Sequence, residues 1–372
     1  MFFDAVIVGA GPSGAHLGYI LARKGMRVAL VDRKTFPRDK LCGGFLSTKT
    51  LELLRKNYSH LDFASFSLNK VSANYELDSI ASFGLNADTC IIKRQEFDYY
   101  LVREAALEGV TTFFGVPFHS VNFDSNEVCL ADGTILSFKI LIGADGVNSR
   151  LRNLMGLSPN KKGFCMETRI PIDLLKETNP SRDRSISVYF EKQYDGYGWI
   201  FPDQNEAVVG LGKLTNVSSE KEIIKKYHQF VNRVAYKCTQ KSFGAYVPAG
   251  DNPILGDPAH ENICLIGDAA GLIDPITGEG IYFALLSAEI LSNAIENTNV
   301  YLSYKELMTN TLSQINDAVQ MRNRLFSPVV LGNFLLSIQS VPEYGSEIVY
   351  EAVLTYKRTY REVFREFEYY NL

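Results

Sequence analysis

Three glycines near the start of the chain have the spacing and the setting to hold a dinucleotide. They stand as Gly9-Ala10-Gly11-Pro12-Ser13-Gly14, after the apolar run FDAVIV and before a helical pattern that reaches Lys24 and stops at Gly25. Gly9 permits a tight turn, Gly11 leaves the backbone bare for a pyrophosphate, and Gly14 lets helix and strand pack closely. The helix start after Pro12 offers unpaired N–H groups, that of Ser13 among them, and the positive end of a dipole to phosphate. A second apolar strand, Arg27 to Val31, delivers Asp32, 18 residues after Gly14, where a carboxylate can accept from an adenosine ribose. No second G-x-G-x-x-G follows, which predicts one bound dinucleotide and no second domain of this type.

A different chemistry is suggested by Cys42-Gly43-Gly44 in the stretch DKLCGGFLS. Paired glycines surrender side-chain packing, so either a group lies against the backbone or the chain turns as other residues cannot. The basic run Arg33, Lys34, Arg38 and Lys40 just before it is interleaved with Asp32 and Asp39. It reads as a solvated loop, or as a contact for a diphosphate, a phospholipid head group or a pyridine nucleotide. The six cysteines include no C-x-x-C pair and no zinc spacing with histidine, which predicts reduced thiols and a cytoplasmic compartment.

The scaffold around these residues is a chain of 372 residues, 46% hydrophobic and 22% charged, enough for one large domain or two intertwined ones. A net charge of −4 gives no electrostatic footprint for nucleic acid. The N-terminus lacks the basic n-region of a signal peptide, and no run reaches the ~18 apolar residues of a membrane span. The nearest, VVLGNFLLSI from Val329 to Ile338, reads as a core helix or as a surface leaning on a membrane. Helical patterns are expected at Ser47–Lys56, from Arg94 to Gly109, at Ser219–Arg233, from Gly280 to about Asn297, and through most of the tail from Val300. Strand patterns fill 68–92, 111–142, with a hairpin at Asp132-Gly133, and most of 163–246.

Two further turns follow buried strands: Gly143-Ala-Asp145-Gly146-x-x-Ser149-x-x-Arg152, and Gly267-Asp268-Ala-Ala-Gly271 leading to Asp274-Pro275-Ile-Thr-Gly278-Glu-Gly280-Ile281. With Gly9, Gly11 and Gly14, in that order, these motifs resemble the FAD-dependent oxidoreductases of the p-hydroxybenzoate-hydroxylase fold, over residues 3 to about 295. The resemblance implies an α/β protein: a Rossmann-type FAD-binding domain (1–66, 93–162, 250–298) interwoven with a β-rich substrate domain (67–92, 163–249), then a helical C-terminal region (299–372). It implies FAD contacts by Gly9, Gly11, Pro12, Ser13 and Gly14, by Asp32 and Arg33, and by Arg94 near the phosphates. Asp145, Gly146 and Asp268 would join them, with Pro275, Gly278, Gly280 and Ile281 beside the isoalloxazine.

The fuller stretch Asp32-Arg33-Lys34-x-Phe36-Pro37-Arg38-Asp39-Lys40-x-Cys42-Gly43-Gly44, with Tyr197-Gly-Trp199-Ile-Phe201-Pro202, resembles the geranylgeranyl reductase branch. Members reduce isolated double bonds in prenyl chains. Alternation along a strand puts Tyr197, Trp199 and Phe201 on one face, and in that branch this motif, Pro202 included, lines the lipid cavity. The resemblance implies that Gly43 and Gly44 are bare because the isoalloxazine or the alkene lies against them, and that Cys42 is a proton donor or a packing residue there. The electron donor would be transiently bound NADPH or a ferredoxin. The substrate would be a hydrophobic isoprenoid, the protein a monomer or loose oligomer with peripheral membrane contact. The alternatives are a monooxygenase or halogenase of the same fold, and a flavin-binding protein without turnover. The last ~50 residues match nothing in the family's pattern.

Overall fold

The computed structural model describes residues 1–68, 70–76, 78–84, 88–183, 185–191, 194–214, 218–236 and 240–369. The chain opens as β1 (Phe2–Val8), α1 (Pro12–Arg23) and β2 (Val28–Asp32), as the glycine pattern requires. β3 (Phe45–Leu46) and α2 (Thr48–Asn57) precede β4 (Ser65–Ser67), β5 (Lys70–Tyr75), β6 (Asp78–Gly84) and β7 (Cys90–Ile92). α3 (Arg94–Leu107) leads to β8 (Thr111–Phe114), β9 (Phe118–Asn122), β10 (Glu127–Leu130), β11 (Ile135–Gly143) and the short α4 (Arg150–Leu154). The middle of the chain holds β12 (Lys162–Pro171), β13 (Ile186–Glu191), β14 (Tyr194–Pro202) and β15 (Glu206–Leu214). α5 (Glu220–Val234), fixed by a reciprocal capping box between Ser219 and Glu222, and β16 (Phe243–Pro248) complete it. β17 (Ile263–Leu265), α6 (Gly267–Ala270) and α7 (Ile281–Ala294) follow. The tail is α8 (Val300–Leu307), α9 (Thr309–Leu325), α10 (Pro328–Ser340), α11 (Pro342–Ile348), a π-helical stretch (Val349–Leu354) and α12 (Tyr360–Tyr369).

The first sheet runs β8-β2-β1-β11-β10-β9, and the end of β11 also takes β17 as a parallel partner. Within it β1, β2, β8, β11 and β17 are parallel. Their near-continuous apolar runs are what burial on both faces demands, and α1, packed against α3 and α7, covers one of those faces. The carboxyl ends of β1, β2, β11 and β17 carry Gly9, Asp32, Ala144-Asp145 and Gly267-Asp268 in turn. Ligands of open α/β sheets bind at that edge.

The second sheet runs β16-β12-β15-β14-β13-β5-β6, with a separate core beneath α5 built on Ile223, Tyr227 and Phe230. The strand-rich segment 67–92 is divided between sheets. β5 and β6 join the second, whereas β7 pairs with β3 and β4 in a small third sheet. In α10, Leu331 and Leu335 are buried, while Val329 and Leu336 are 74% and 59% exposed. No helix among the described residues is long and apolar enough to cross a membrane. Among those residues Cys42, Cys90, Cys129, Cys165 and Cys264 are free thiols; Cys238 lies outside them.

Candidate active site

A cavity of about 1030 Å³ is walled by residues of both large sheets. Its walls gather the three sequence motifs, the Cys42 loop and the aromatic face of β14, although these lie more than 250 residues apart in the chain. Of the residues expected to contact cofactor or substrate, Gly14 and Pro202 do not line it. Gly14 is instead the packing glycine expected: a β-carbon there would stand 1.9 Å from the Gly9 carbonyl oxygen. Pro202 does not contact the cavity as the resemblance implied. It ends β14 on the face opposite Phe201, where it is buried and stands opposite Ala207.

At the nucleotide end, α1 starts at Pro12 with Gly11 as its N-cap and no side-chain cap, so the N–H groups that follow Pro12 are free of a capping side chain. A β-carbon on Gly11 would come no nearer than 3.8 Å to anything, Arg38 Nη2 being the closest atom, so the approach is open. Asp32 accepts from the Ala10 N–H (2.9 Å) and the Lys34 N–H (2.8 Å), which fixes its carboxylate at the rim with lone pairs to spare. Arg33 lines the same rim. Asp145 accepts from the N–H groups of Arg150 (2.6 Å) and Leu151 (3.2 Å), while its Oδ1 is buried without a partner. Burial raises the Asp145 carboxyl above the usual range, against hydrogen bonding from Ser149 and those two amides. Arg152 holds the second motif to the third through the Ala269 carbonyl (3.1 Å).

Asp268 is half-buried beneath the start of α7, and a β-carbon on Gly280 would lie 3.3 Å from its Oδ1. Burial raises its carboxyl; Lys40 and Arg94 oppose that rise. Arg94 is no surface charge: it is buried and donates to Asp98 through Nε (2.7 Å) and Nη2 (2.9 Å). Burial alone would lower the Arg94 guanidinium, but Asp98 and the adjoining Cys42 thiol raise it on balance.

The paired glycines have a reason other than the one expected. A β-carbon on Gly43 would meet the Phe201 ring at 2.5 Å, and one on Gly44, whose φ is +78°, would meet the Ile92 carbonyl oxygen at 2.1 Å. Protein, not cofactor, fills both directions: the loop is bare so that it can press onto β14 and β7. Cys42 and both glycines still line the cavity.

The aromatic face forms as alternation predicts. Ring centroids are 5.7 Å apart for Tyr197 and Trp199, and 6.3 Å apart for Trp199 and Phe201. The Tyr197 hydroxyl donates to the Thr277 carbonyl, tying this wall to the loop that carries Pro275, Gly278 and Gly280. The indole lies across Gly210 of β15, where a β-carbon would meet its ring at 2.3 Å. Sequence reasoning missed Gly210 and Gly212; their signal was a glycine at every second position of the strand returning from the aromatic motif.

It also missed Glu167. In β12 the face Cys165, Glu167, Arg169 alternates with Phe164, Met166 and Ile170, and an acid in that pattern was the available signal. Glu167 is 5% exposed and lines the cavity. Burial lifts its carboxyl to about 7, against the nearby Arg169, the Cys42 backbone N–H, the Trp199 indole N–H and Lys40. Burial likewise pushes the Cys165 thiol up to about 12, with Glu167 adding to the rise. The third omission is the tail. Tyr356 and Tyr360 both donate to Asp274 Oδ2, at 2.5 and 2.7 Å, and Arg322, Phe326 and Val353 line the cavity.

Free helix starts, bare backbone and carboxylates around one cavity, with an aromatic wall on its far sheet, define a nucleotide-dependent redox protein. The sequence profile of the FAD binding domain matches residues 3–295, and the chain belongs to that family. It is an FAD-dependent oxidoreductase of the p-hydroxybenzoate-hydroxylase-like fold. The menaquinone reductase of Mycobacterium tuberculosis is 26% identical over 335 residues, covering 82% of this chain and 80% of that one. The chloroplastic geranylgeranyl diphosphate reductase of Nicotiana tabacum is 26% identical over 314 residues, 78% of this chain and 65% of that one. A geranylgeranyl bacteriochlorophyll reductase-like protein of Thermoplasma acidophilum superposes with a TM-score of 0.77 at 20% identity, over 99% of this chain and 98% of that one. A probable FAD-dependent monooxygenase from Pseudomonas aeruginosa shares the fold at a TM-score of 0.70 and 16% identity, over 89% and 97%.

Proposed function

We propose that this enzyme reduces isolated carbon–carbon double bonds in a prenyl chain carried by a lipid, a diphosphate or a quinone. The observation that carries the reading is the wall of Tyr197, Trp199 and Phe201, facing the cavity that also holds the flavin-site motifs. The two named reductases point to the same substrate class.

The residues present fit FAD. The uncapped start of α1 would receive the pyrophosphate, Asp32 the adenosine ribose and Asp268 the ribityl hydroxyls. Asp145 Oδ1, buried and unpaired, is an acceptor still available on the cavity wall. α7 also begins without a side-chain cap, at Gly280, so its positive end can meet negative charge on the ring system, beside Pro275, Gly278 and Ile281. Bound and reduced, FAD supplies a hydride from N5. The chain's task is to hold an unactivated alkene next to that atom, to exclude water and to manage the proton. Protonation develops positive charge on a tertiary carbon, and an aromatic face offers it ~0.5–2 kcal/mol of cation–π attraction. Arg322, Phe326 and Val353 of the tail bound the compartment and set the chain length it accepts. With no second G-x-G-x-x-G in the sequence, NADPH or a ferredoxin docks transiently as electron donor.

The test is anaerobic. The bound flavin is photoreduced, then mixed with a geranylgeranyl lipid or menaquinone. Alkene-dependent reoxidation with a saturated product supports the reading. Reoxidation only with oxygen, with hydroxylation or halogenation of an aromatic substrate, would establish the monooxygenase or halogenase reading.

A further inference from the structure

Glu167, Gly210 and Trp199 form one row across the second sheet. Glu167 of β12 is opposite Gly210 of β15, and Gly210 is opposite Trp199 of β14. Directly opposed residues of antiparallel strands project to the same face. The central member of the row has no side chain, so the indole lies over it, its Nε1 only 2.6 Å from where a Gly210 β-carbon would be. The Trp199 indole N–H is buried and closes no hydrogen bond of normal geometry, yet it lies near enough to favour the charged form of Glu167. The Cys42 backbone N–H acts on the same carboxyl. The row on one side is Cys165, Gly212 and Tyr197, and the row on the other is Arg169, Val208 and Phe201. Glu167 is therefore the acid set among the aromatic rings, on the cavity wall itself.

On the reading that this cavity reduces alkenes, we propose that the Glu167 carboxyl is the acid that protonates the double bond, and that Cys42 positions it. The π bond breaks, one carbon takes hydride from the reduced flavin, and the other takes the proton from Glu167. Two C–H bonds form, the flavin is left oxidised and Glu167 is left as carboxylate. Water at the mouth, where the exposed Lys40 stands, returns the proton. The geometry also separates the parts of Cys42: its N–H serves Glu167, whereas its thiol adjoins the Arg94 guanidinium. The groups that face Glu167 are Arg169 and Cys165 on its own strand, Lys40 and Cys42 on the loop, and Trp199 on β14. Its opposite neighbour on β16, Phe243, carries no charge. With the carboxyl held near 7, its proton-donating form is complete below that pH and lost above it.

Single-turnover flavin reoxidation by a prenyl alkene, followed without oxygen across pH, tests this with wild type, E167Q, E167D and C42A. Wild type should be flat at acid pH and fall about tenfold per unit above about 7. E167Q should lose roughly 10²–10⁴-fold and the descent with it, keep bound FAD and photoreduce normally. E167D should recover part of the rate, and C42A should keep the descent. A second readout needs neither flavin nor substrate. The infrared carboxyl band of the FAD-free protein should titrate near pH 7 in wild type and lose that component in E167Q. A wild-type profile retained in E167Q, or no such carboxyl titration, overturns the role of Glu167 while alkene reduction stands. Wild type that never reoxidises with alkene overturns the reductase reading, and the proton step with it.

Discussion

The Tyr356 hydroxyl donates a 2.5 Å hydrogen bond to Asp274 Oδ2, so the end of the chain holds the loop that carries Gly278 and Gly280. Asp274 Oδ1 meanwhile accepts from the N–H groups of Ile276 (2.8 Å) and Thr277 (2.9 Å), and Tyr360 adds a second phenol at 2.7 Å. Lys49 braces the same corner, 2.8 Å from Glu279 and stacked 3.5 Å over the Tyr356 ring. One carboxylate thus organises the flavin-side loop and anchors the tail. Replacing Tyr356 and Tyr360 together by Phe removes two bonds to a buried charge, each worth ~1.5–3 kcal/mol. Thermal unfolding should occur several degrees lower, and FAD should dissociate more readily on dilution; an unchanged Tm would show that the tail does not brace the loop.

Gly14→Ala and Gly43→Ala should separate two functions. The first forces a β-carbon to 1.9 Å from the Gly9 oxygen, which is backbone and cannot swing aside; the protein should purify with little flavin, read from its visible absorbance. The second meets side chains of the aromatic wall, the Phe201 ring at 2.5 Å and Trp199 Nε1 at 3.5 Å. It should keep its flavin and show a raised KM for the prenyl substrate with a smaller change in kcat.

Gly210→Ala should lift the indole from the sheet, since its β-carbon would overlap the Trp199 ring at 2.3 Å. Trp199 is the chain's single tryptophan, so its emission reports the site without background. The expected result is a red-shifted, more quenchable emission together with at least tenfold weaker alkene-dependent turnover. An unshifted spectrum would mean that the rings accommodate the methyl group.

His16 should make the protein acid-sensitive. It is fully buried on α1, bonded through Nδ1 to the Tyr58 hydroxyl (2.9 Å), and burial, with Lys56 adding to it, holds its imidazole down to about 3 from 6.5. The folded state therefore stays neutral here while the unfolded chain takes up a proton. Stability is complete above 6.5 and is lost as pH falls from there toward 3, by up to roughly 5 kcal/mol. Urea unfolding at pH 7, 5.5 and 4 should show that loss in wild type and a shallower one in His16→Gln.

Val329→Asp with Leu336→Asp tests the outer side of α10. These exposed apolar residues stand beside the buried Leu331 and Leu335, so the changes should leave folding intact. Flotation with anionic phospholipid vesicles should capture wild type and lose the double variant. Equal flotation of both would remove α10 as a membrane contact.

The motifs of the first sheet were legible because their physics is local. Gly9, Gly11 and Gly14 sit within one turn of a strand end, and Asp32 ends the very next strand, so spacing alone carries the geometry. The face shared by Tyr197, Trp199 and Phe201 was legible for the same reason, as was Gly14's service to packing. Glu167 was not. It lies 125 residues from Cys42 and 32 from Trp199, and the one local signal, an acid in the alternating pattern of β12, does not say what that face meets.

By itself, then, the sequence determined the parallel sheet, the dinucleotide turn and the aromatic strand, because hydrophobic period and glycine spacing act over a few residues. Only the tertiary structure decided what those parts meet. It set Phe201 against Gly43, gave Asp274 its two tyrosines from the tail, and buried Glu167 beside Trp199 and Cys42. A carboxyl's proton affinity depends on which dipoles and how little water surround it, and those neighbours arrive only when distant strands are brought into register.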